Sequence, residues 1–514
     1  MTAPSADDLL SRLTAAQRDD AWDAVLGLLA EHWSELFQNH PAALLDMLSA
    51  LPDEVLAQNS RLRLADQYLR RTLDHRPETR AYRDIIADDP GASPVDRLAA
   101  LTGRIAVSRG AGRHDDAIEA TERAVAMLRE VPVEVIPAFA NALPEFHYHW
   151  GVAYLLVARF SDAMEQFVQS HDWAVSVGNV MVTTRSGGSV ALLHALHGRC
   201  RDAETWLAKL PEAPADAWWA ADAGTPAKLA SAIIRTERLD PDAARVVLAG
   251  IDISISLDFW GPYYALRAFL TPDHRADAQL LLSEFDAFTA DLATEYANVP
   301  LNAEYTALVR YTLLQMLHQP DRAARILDPA PLDVDSSVVR QTGATLHALR
   351  LALLDQSAAA RRIVAPLLHA SSARPRVLIP TLLVAAHTDA IAHRDELLQR
   401  AVALATWHRC HAVLTFVPET MRDELVALVR AQGDDEIADR LEAIAPGSLV
   451  RGTDALTRRE AAVIEAALAG LSNAEIAARQ HVSVNTVKSH LRSAFRKLEV
   501  SNRDQLQQLF QLGR

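Results

Sequence analysis

The sequence predicts an all-α protein in two unequal parts: an α-solenoid of helical hairpins, then a small four-helix domain. Three observations carry this. Apolar residues recur at helical spacing along the chain, without the alternation of strands and helices that an α/β domain needs. Asp-Ala pairs begin successive apolar-periodic helices at near-regular intervals. Close to the end, four short helical patterns follow one another, each with its own start signal.

Residues 1–94 read as an N-terminal helical region, in which 21–32 and 40–51 alternate apolar with charged faces. A repeat is expected over 95–445. The pairs Asp116-Ala117, Asp162-Ala163, Asp202-Ala203, Asp242-Ala243 and Asp277-Ala278 lie 46, 40, 40 and 35 residues apart, and Asp321 with Ala323 is a looser copy. An aspartate suits the positive end of a helix dipole. Alanine is small where a second helix must lie close. In the sharpest copy, Gly151, Tyr154, Ala163 and Phe167 follow the small–aromatic–small–aromatic order of a tetratricopeptide repeat. A non-repetitive helical domain is the alternative, because Asp-Ala pairs are common in an alanine-rich chain.

Stacked hairpins offer a long concave surface, so an effector, a small molecule or a protein, is expected there. Trp218 and Trp219, and one repeat further on Phe259, Trp260, Tyr263 and Tyr264, would meet if the register holds. They could then line an effector pocket. Packing of one hairpin onto the next is the default for such aromatics. His147 with His149, and His194 with His197, have close spacings, but no carboxylate or cysteine cluster completes a metal set. Beside Gly198, the second pair reads as capping or solvated. The last periodic helices lie around 394–404 and 418–445. Pro446-Gly447-Ser448 and Gly452-Thr453-Asp454 then mark a short linker, 446–455, with little reach.

Residues 456–514 form the final domain. Thr457 with Glu460 and Ser472 with Glu475 are capping boxes, and Gly470 stands where a helix end needs a left-handed residue. Ser483 caps a third helix, and Ser501 or Asn502 a fourth. In the third helix Val484, Val487, Leu491, Phe495 and Leu498 share the face toward a core. Asn485, Lys488, Ser489, Arg492 and Arg496 share the other, and no acid occurs from 483 to 498. An apolar back with a basic, amide- and hydroxyl-bearing front suits a DNA major groove. With the short helix 473–480 and the turn at His481-Val482, it makes a helix-turn-helix. A bundle whose basic face is merely solvated is the bland alternative.

This run resembles the LuxR-type (GerE-like) DNA-binding domain of bacterial transcription regulators. The matching residues include Leu456-Thr457, Arg459-Glu460, Gly470-Leu471-Ser472-Asn473, Glu475-Ile476-Ala477, Ser483, Thr486-Val487-Lys488, His490, Lys497-Leu498, Val500 and Arg503. The resemblance implies that the helix Val484–Lys497 reads DNA. Lys488, Ser489 and Arg492 would contact bases, and Asn473, Thr486, His490 and Lys497 phosphates. It also implies a homodimer on DNA, paired through the last helix, 502–512, whose apolar stripe is Leu506, Leu509 and Phe510, some of which must serve the domain's own core. Gln480 and His481 depart from the family's apolar residues, and Glu499 from its helix-ending glycine. The segment HPAALLDMLSALPDEVL resembles the start of the helical-repeat region in the large LuxR-type regulators. Their ATPase module is not expected: no Gly-x-x-x-x-Gly-Lys-Ser/Thr run occurs, and Gly110-Ala111-Gly112-Arg113 lacks the lysine.

Charge agrees with this division. Residues 451–514 hold ten Lys or Arg against six acids, a net +4, which leaves −19 on the other 450 residues of a chain totalling −15. DNA should repel the acidic part and meet the basic end. Cys200 and Cys410 lie far apart, which points to a reducing compartment without disulfide or zinc frameworks. The N-terminus has no targeting pattern, and the longest apolar stretch, 377–386, holds Pro380 and is too short to span a membrane. A cytoplasmic protein is expected, with no membrane partner. No Gly-x-Ser-x-Gly element or nucleophile–base pair occurs, so no catalytic residue, cofactor or metal is expected. The rival reading is a helical-repeat scaffold whose helix-turn-helix does not bind DNA specifically. Polar Lys488, Ser489 and Arg492 weigh against it, because a protein-docking face favours apolar anchors.

Overall fold

Prolines and side-chain caps divide the chain into helices, and most helices fall into hairpins. The computed structural model describes residues 5–52, 55, 69, 92–214, 216–272, 275–317, 319–327, 335–354, 356–368, 374–388, 393–417, 419–444, 458–497, 502–503 and 505–506. No strand occurs among them, so the fold is all-α.

Nine hairpins follow one another among the described residues: Pro94–Gly110 with His114–Glu130, Leu143–Leu156 with Phe160–Ser176, Val180–Leu196 with Cys200–Leu207, Ala220–Glu237 with Pro241–Ala249, Trp260–Leu270 with Arg275–Asp291, Pro300–Met316 with Pro320–Ile326, Val338–Leu353 with Ser357–Leu368, Pro375–Thr388 with Arg394–His408, and Glu419–Ala431 with Asp435–Ala443. From the first hairpin to the eighth, the first helix of each also packs on the first helix of the next. Those helices form an inner layer. Leu143–Leu156 and Val180–Leu196 are buried on almost every side, which is why they are apolar all round rather than striped.

The Asp-Ala pairs open second helices. Asp116, Asp162, Asp202, Asp242 and Asp277 stand in first turns, and Ala117, Ala163, Ala203 and Ala278 are buried. The copy at 242 is displaced by one residue. There Ala244 is the buried alanine, and Asp240 caps the helix, accepting from the Ala243 N–H at 3.1 Å. The looser copy behaves alike: Ala323 is buried in Pro320–Ile326. At Gly151 the helices meet so closely that a Cβ would lie 2.7 Å from the buried ring of Phe167. That contact explains the small residue opposite the aromatic one.

Two expectations are corrected. The stretch 418–445 holds two helices, because Asp434 caps a new one by accepting from the Ile437 N–H at 3.4 Å. Near the N-terminus the helix expected over 21–32 runs as Trp22–Asn39, kinked at His32 (φ −122°). It packs with Ala6–Arg18 and Pro41–Ser49. These three helices share an apolar cluster with Met181, Val182 and Trp219, and the Met181 N–H donates to Gln38 at 3.1 Å.

The row of hairpins also closes on itself. Arg376 donates to the carbonyls of Ala195 and Leu196, each at 2.9 Å, and to Glu237 at 2.7 Å. The second carboxylate oxygen of Glu237 accepts from the Ala412 N–H at 2.9 Å. Arg409 pairs with Glu204, and Arg440 donates to the Arg238 carbonyl at 2.8 Å. Helices Cys200–Leu207 and Arg394–His408 are in contact.

Candidate nucleic-acid interface

Three helices frame the C-terminal domain: Arg458–Leu468, Asn473–Arg479 and Val484–Lys497. Their contact is an apolar cluster of Val463, Ile464, Ile476, Val487, Leu491 and Ala494, joined by Leu506. The turn after the first helix is made by Gly470 at φ +82°, and the Leu471 N–H bonds back to Ala466 at 3.1 Å. Ser472 and Glu475 form the expected capping box: the Ser472 N–H reaches the carboxylate at 2.7 Å, and the Glu475 N–H reaches the hydroxyl at 3.3 Å. Hydrogen bonds to its carboxylate from the Ser472 hydroxyl and from the Ser472 backbone N–H hold the Glu475 pKa below the ordinary carboxylate range. Of the other expected box, Thr457 lies outside the described residues, and Glu460 is buried.

The turn between the second and third helices is tight. His481 takes a left-handed φ of +54°, and the Val482 N–H bonds to Ala477 at 3.1 Å. His481 is exposed, so the departure from an apolar residue leaves the ring in solvent rather than in the core. Ser483 caps the third helix: its hydroxyl accepts from the Thr486 N–H at 3.1 Å and meets the Thr486 hydroxyl at 2.8 Å.

Along that helix the two faces separate as the sequence implies, with one correction. Val487 and Leu491 are buried, Phe495 is half-buried, and Ala494 completes the row at 0% exposure. Val484 is 39% exposed. At the first helical position it points past the core, and Ala494, seven residues beyond Val487, takes the place the pattern gave to a larger side chain. Asn485, Lys488, Ser489 and Arg492 are exposed together on the outer face, while Thr486 and His490 are half-buried at its edge. Arg496 and Lys497 close the helix, but their side chains lie outside the described residues, as do Leu498 and Glu499.

Asn473 is tied into the domain. Arg503 donates to its Oδ1 at 2.6 Å and also to the Leu471 carbonyl. In the sequence Arg503 is a residue that matches the family, with no role assigned to it, and that match is the signal that could have suggested one. With its oxygen engaged, Asn473 can offer only its amide NH2 to a phosphate. Asn502, one of the two expected caps of the fourth helix, accepts from the Gln505 N–H at 2.8 Å, and Ser501 lies outside the described residues. Leu506 is fully buried in this domain's own core, and is thus the part of the stripe that serves it. Leu509 and Phe510 lie outside the described residues.

The aromatic sets do not meet. Trp218 donates to the Gln38 carbonyl at 3.0 Å and packs edge-on against Phe37, and Trp219 is buried in the same N-terminal cluster. Trp260 and Tyr264 pack instead against Phe285 and Phe288, with Tyr263 beside Tyr264. The two sets face different neighbours because the N-terminal helices, whose position the repeat pattern does not encode, cover Trp218 and Trp219. Two of the histidines are held by partners within the repeat region: His147 by Gln166 on the facing helix Phe160–Ser176, and His197 by its own helix. The His147 ring meets Gln166 at 2.8 Å, and His197, which follows Val180–Leu196, bonds the Leu193 carbonyl at 2.7 Å. No helix among the described residues is long and apolar enough to cross a membrane.

Comparison with known proteins bears on the same segment. Residues 454–510 match the model of the bacterial regulatory proteins of the luxR family (GerE). A nitrate/nitrite response regulator protein homolog of Haemophilus influenzae is 35% identical over 92 residues, 17% of this chain and 41% of that protein. The chain thus matches about two fifths of that relative's length. No solved structure matches the chain. A capped helix-turn-helix with an exposed basic face, at the position of the family match, makes residues 454–510 a LuxR-family domain of the bacterial regulatory proteins.

Proposed function

We propose that this chain is a sequence-specific, DNA-binding regulator of transcription that acts in the cytoplasm by binding rather than catalysis. One observation carries the reading. Lys488, Ser489 and Arg492 stand exposed together on a helix whose back is locked into an apolar core. Cations there attract phosphate, and the same side chains can pair with base edges. Asn473, Thr486 and His490 flank that face and, with Lys497, would set the register on the backbone. The helical region, 1–94 with 95–445, would receive an effector or partner, and the short linker 446–455 would couple it to the DNA-binding unit, 456–514. Two copies would occupy half-sites about one helical turn, or a multiple of it, apart. Pairing would use the part of 502–512 beyond Leu506.

Genome-wide occupancy of the intact protein, beside a Lys488→Ala/Arg492→Ala double variant, tests this. Discrete sites are expected, and they should vanish in the variant. On those sites the logarithm of affinity should fall with the logarithm of salt, with a slope of about −0.9 per phosphate contacted. No discrete sites, together with salt-independent binding, would refute the reading and leave the scaffold alternative.

A further inference from the structure

Asn473 and Arg503 meet within the DNA-binding domain. One terminal nitrogen of the Arg503 guanidinium donates to the Asn473 Oδ1 at 2.6 Å, and the other donates to the Leu471 carbonyl. The fork thus joins the turn before helix Asn473–Arg479 to the first side chain of that helix. Arg503 is itself held in place. It stands between Asn502, whose side chain accepts from the Gln505 N–H at 2.8 Å, and Leu506, which is buried in the domain's core. Among the described residues its partners are those two oxygens and no carboxylate.

The fork decides which way the Asn473 amide lies. A guanidinium only donates, so it holds the amide by its oxygen and never by its nitrogen. The NH2 group is therefore turned away from Arg503. It donates to nothing among the described residues, and in the half-buried Asn473 it is not sealed from solvent. An unheld amide has two broad orientations about its last torsion. One would set the oxygen against a phosphate, which repels it. The other offers the NH2, which a phosphate accepts. Fixing the second before DNA arrives removes an ordering cost from binding.

We propose that Arg503 is a positioning residue for DNA binding: it holds the Asn473 amide with the NH2 outward, and that group donates to one backbone phosphate. The proposal rests on the DNA-binding reading and adds to it a residue outside the recognition helix.

The test uses DNA selected by the full chain, with single phosphates replaced one at a time by uncharged methylphosphonate. Asn473→Asp keeps the oxygen that Arg503 holds and loses the NH2. It should identify one phosphate per half-site where replacement costs the wild type about 10-fold in affinity, the scale of one hydrogen bond to a charged group, and costs the variant nothing. Arg503→Lys keeps the charge without the fork. It should reduce the penalty at that phosphate to under about 3-fold, and leave the other phosphates and the base preference as in the wild type. Arg503→Gln, too short to bridge both oxygens, is the second variant should the first misfold, and the same pattern is expected. Penalties that fall alike at every phosphate would make Arg503 a support of the domain's shape and overturn the proposal. So would a penalty that survives both Arg503 variants, or an Asn473→Asp that changes no single phosphate. Any of these, beside salt-dependent binding by the wild type, would leave the DNA-binding reading standing. Wild-type binding without salt dependence would overturn both.

Discussion

At the scale of single residues, Arg492 and Lys488 reach out from a helix whose position is fixed by Val487, Leu491 and Ala494. Arg492→Ala should relax base preference and weaken the best site by about 1–3 kcal/mol, with little change on unrelated DNA. Competition binding against shuffled sequences measures it, and uniform weakening on every sequence would count Arg492 as a phosphate contact. The outer face was legible in the sequence because charge and amide groups declare themselves. The inner face was less so: Val484 and Ala494 exchange places relative to the pattern, since apolarity does not say which helix position meets a neighbour. His147 shows what only packing reveals. Burial holds its pKa near 4, outweighing the hydrogen bond to Gln166, whereas the free side chain titrates near 6.5. Between those values the unfolded chain binds a proton that the folded chain does not. Stability therefore rises with pH across that window and falls on acidification, by up to about 1.4 kcal/mol per pH unit. His147→Gln should flatten that slope in denaturant titrations of the full chain between pH 4 and 6.5. An unchanged slope would mean that other groups govern it.

At the scale of elements, the start signals were the clearest part of the sequence. Ser472, Ser483 and the Asp-Ala pairs sit where a capping oxygen or a first-turn carboxylate meets free N–H groups. Such signals are local, so sequence alone exposes them. The close crossing at Gly151 was legible as well, because a small residue paired with an aromatic one implies contact. Gly151→Ala should cost about 1–3 kcal/mol, since Phe167 is fully buried and has no room to move. A lowered denaturation midpoint, partly restored by adding Phe167→Leu, is the expected result. A neutral Gly151→Ala would mean that the two helices separate freely. The partners of Trp218 and Trp260 were not legible. The repeat spacing relates each hairpin to the next, but it carries no information on helices that pack across hairpins, such as Trp22–Asn39.

At the scale of the whole molecule, a row of repeats should behave almost one-dimensionally, each unit answering to its neighbours. Here Arg376 ties the eighth hairpin to the third and fourth. Arg376→Ala should cost about 3 kcal/mol or more, because it leaves the 2%-exposed Glu237 carboxylate without its cation. Hydrogen exchange should then show the two halves of the solenoid opening separately, where the wild type opens as one unit. Joint opening in the variant would show that apolar contacts alone hold the closure. The closure also sets an order of events during synthesis. Glu237 is made 139 residues before Arg376, and the Ala195 carbonyl 181 residues before it. At roughly 5–20 residues per second, a ribosome takes about 7–36 s to cover that distance. For that interval the nascent chain carries an unmatched carboxylate and an unsealed apolar wall, and a chaperone that shields apolar surface has its clearest opportunity to act then.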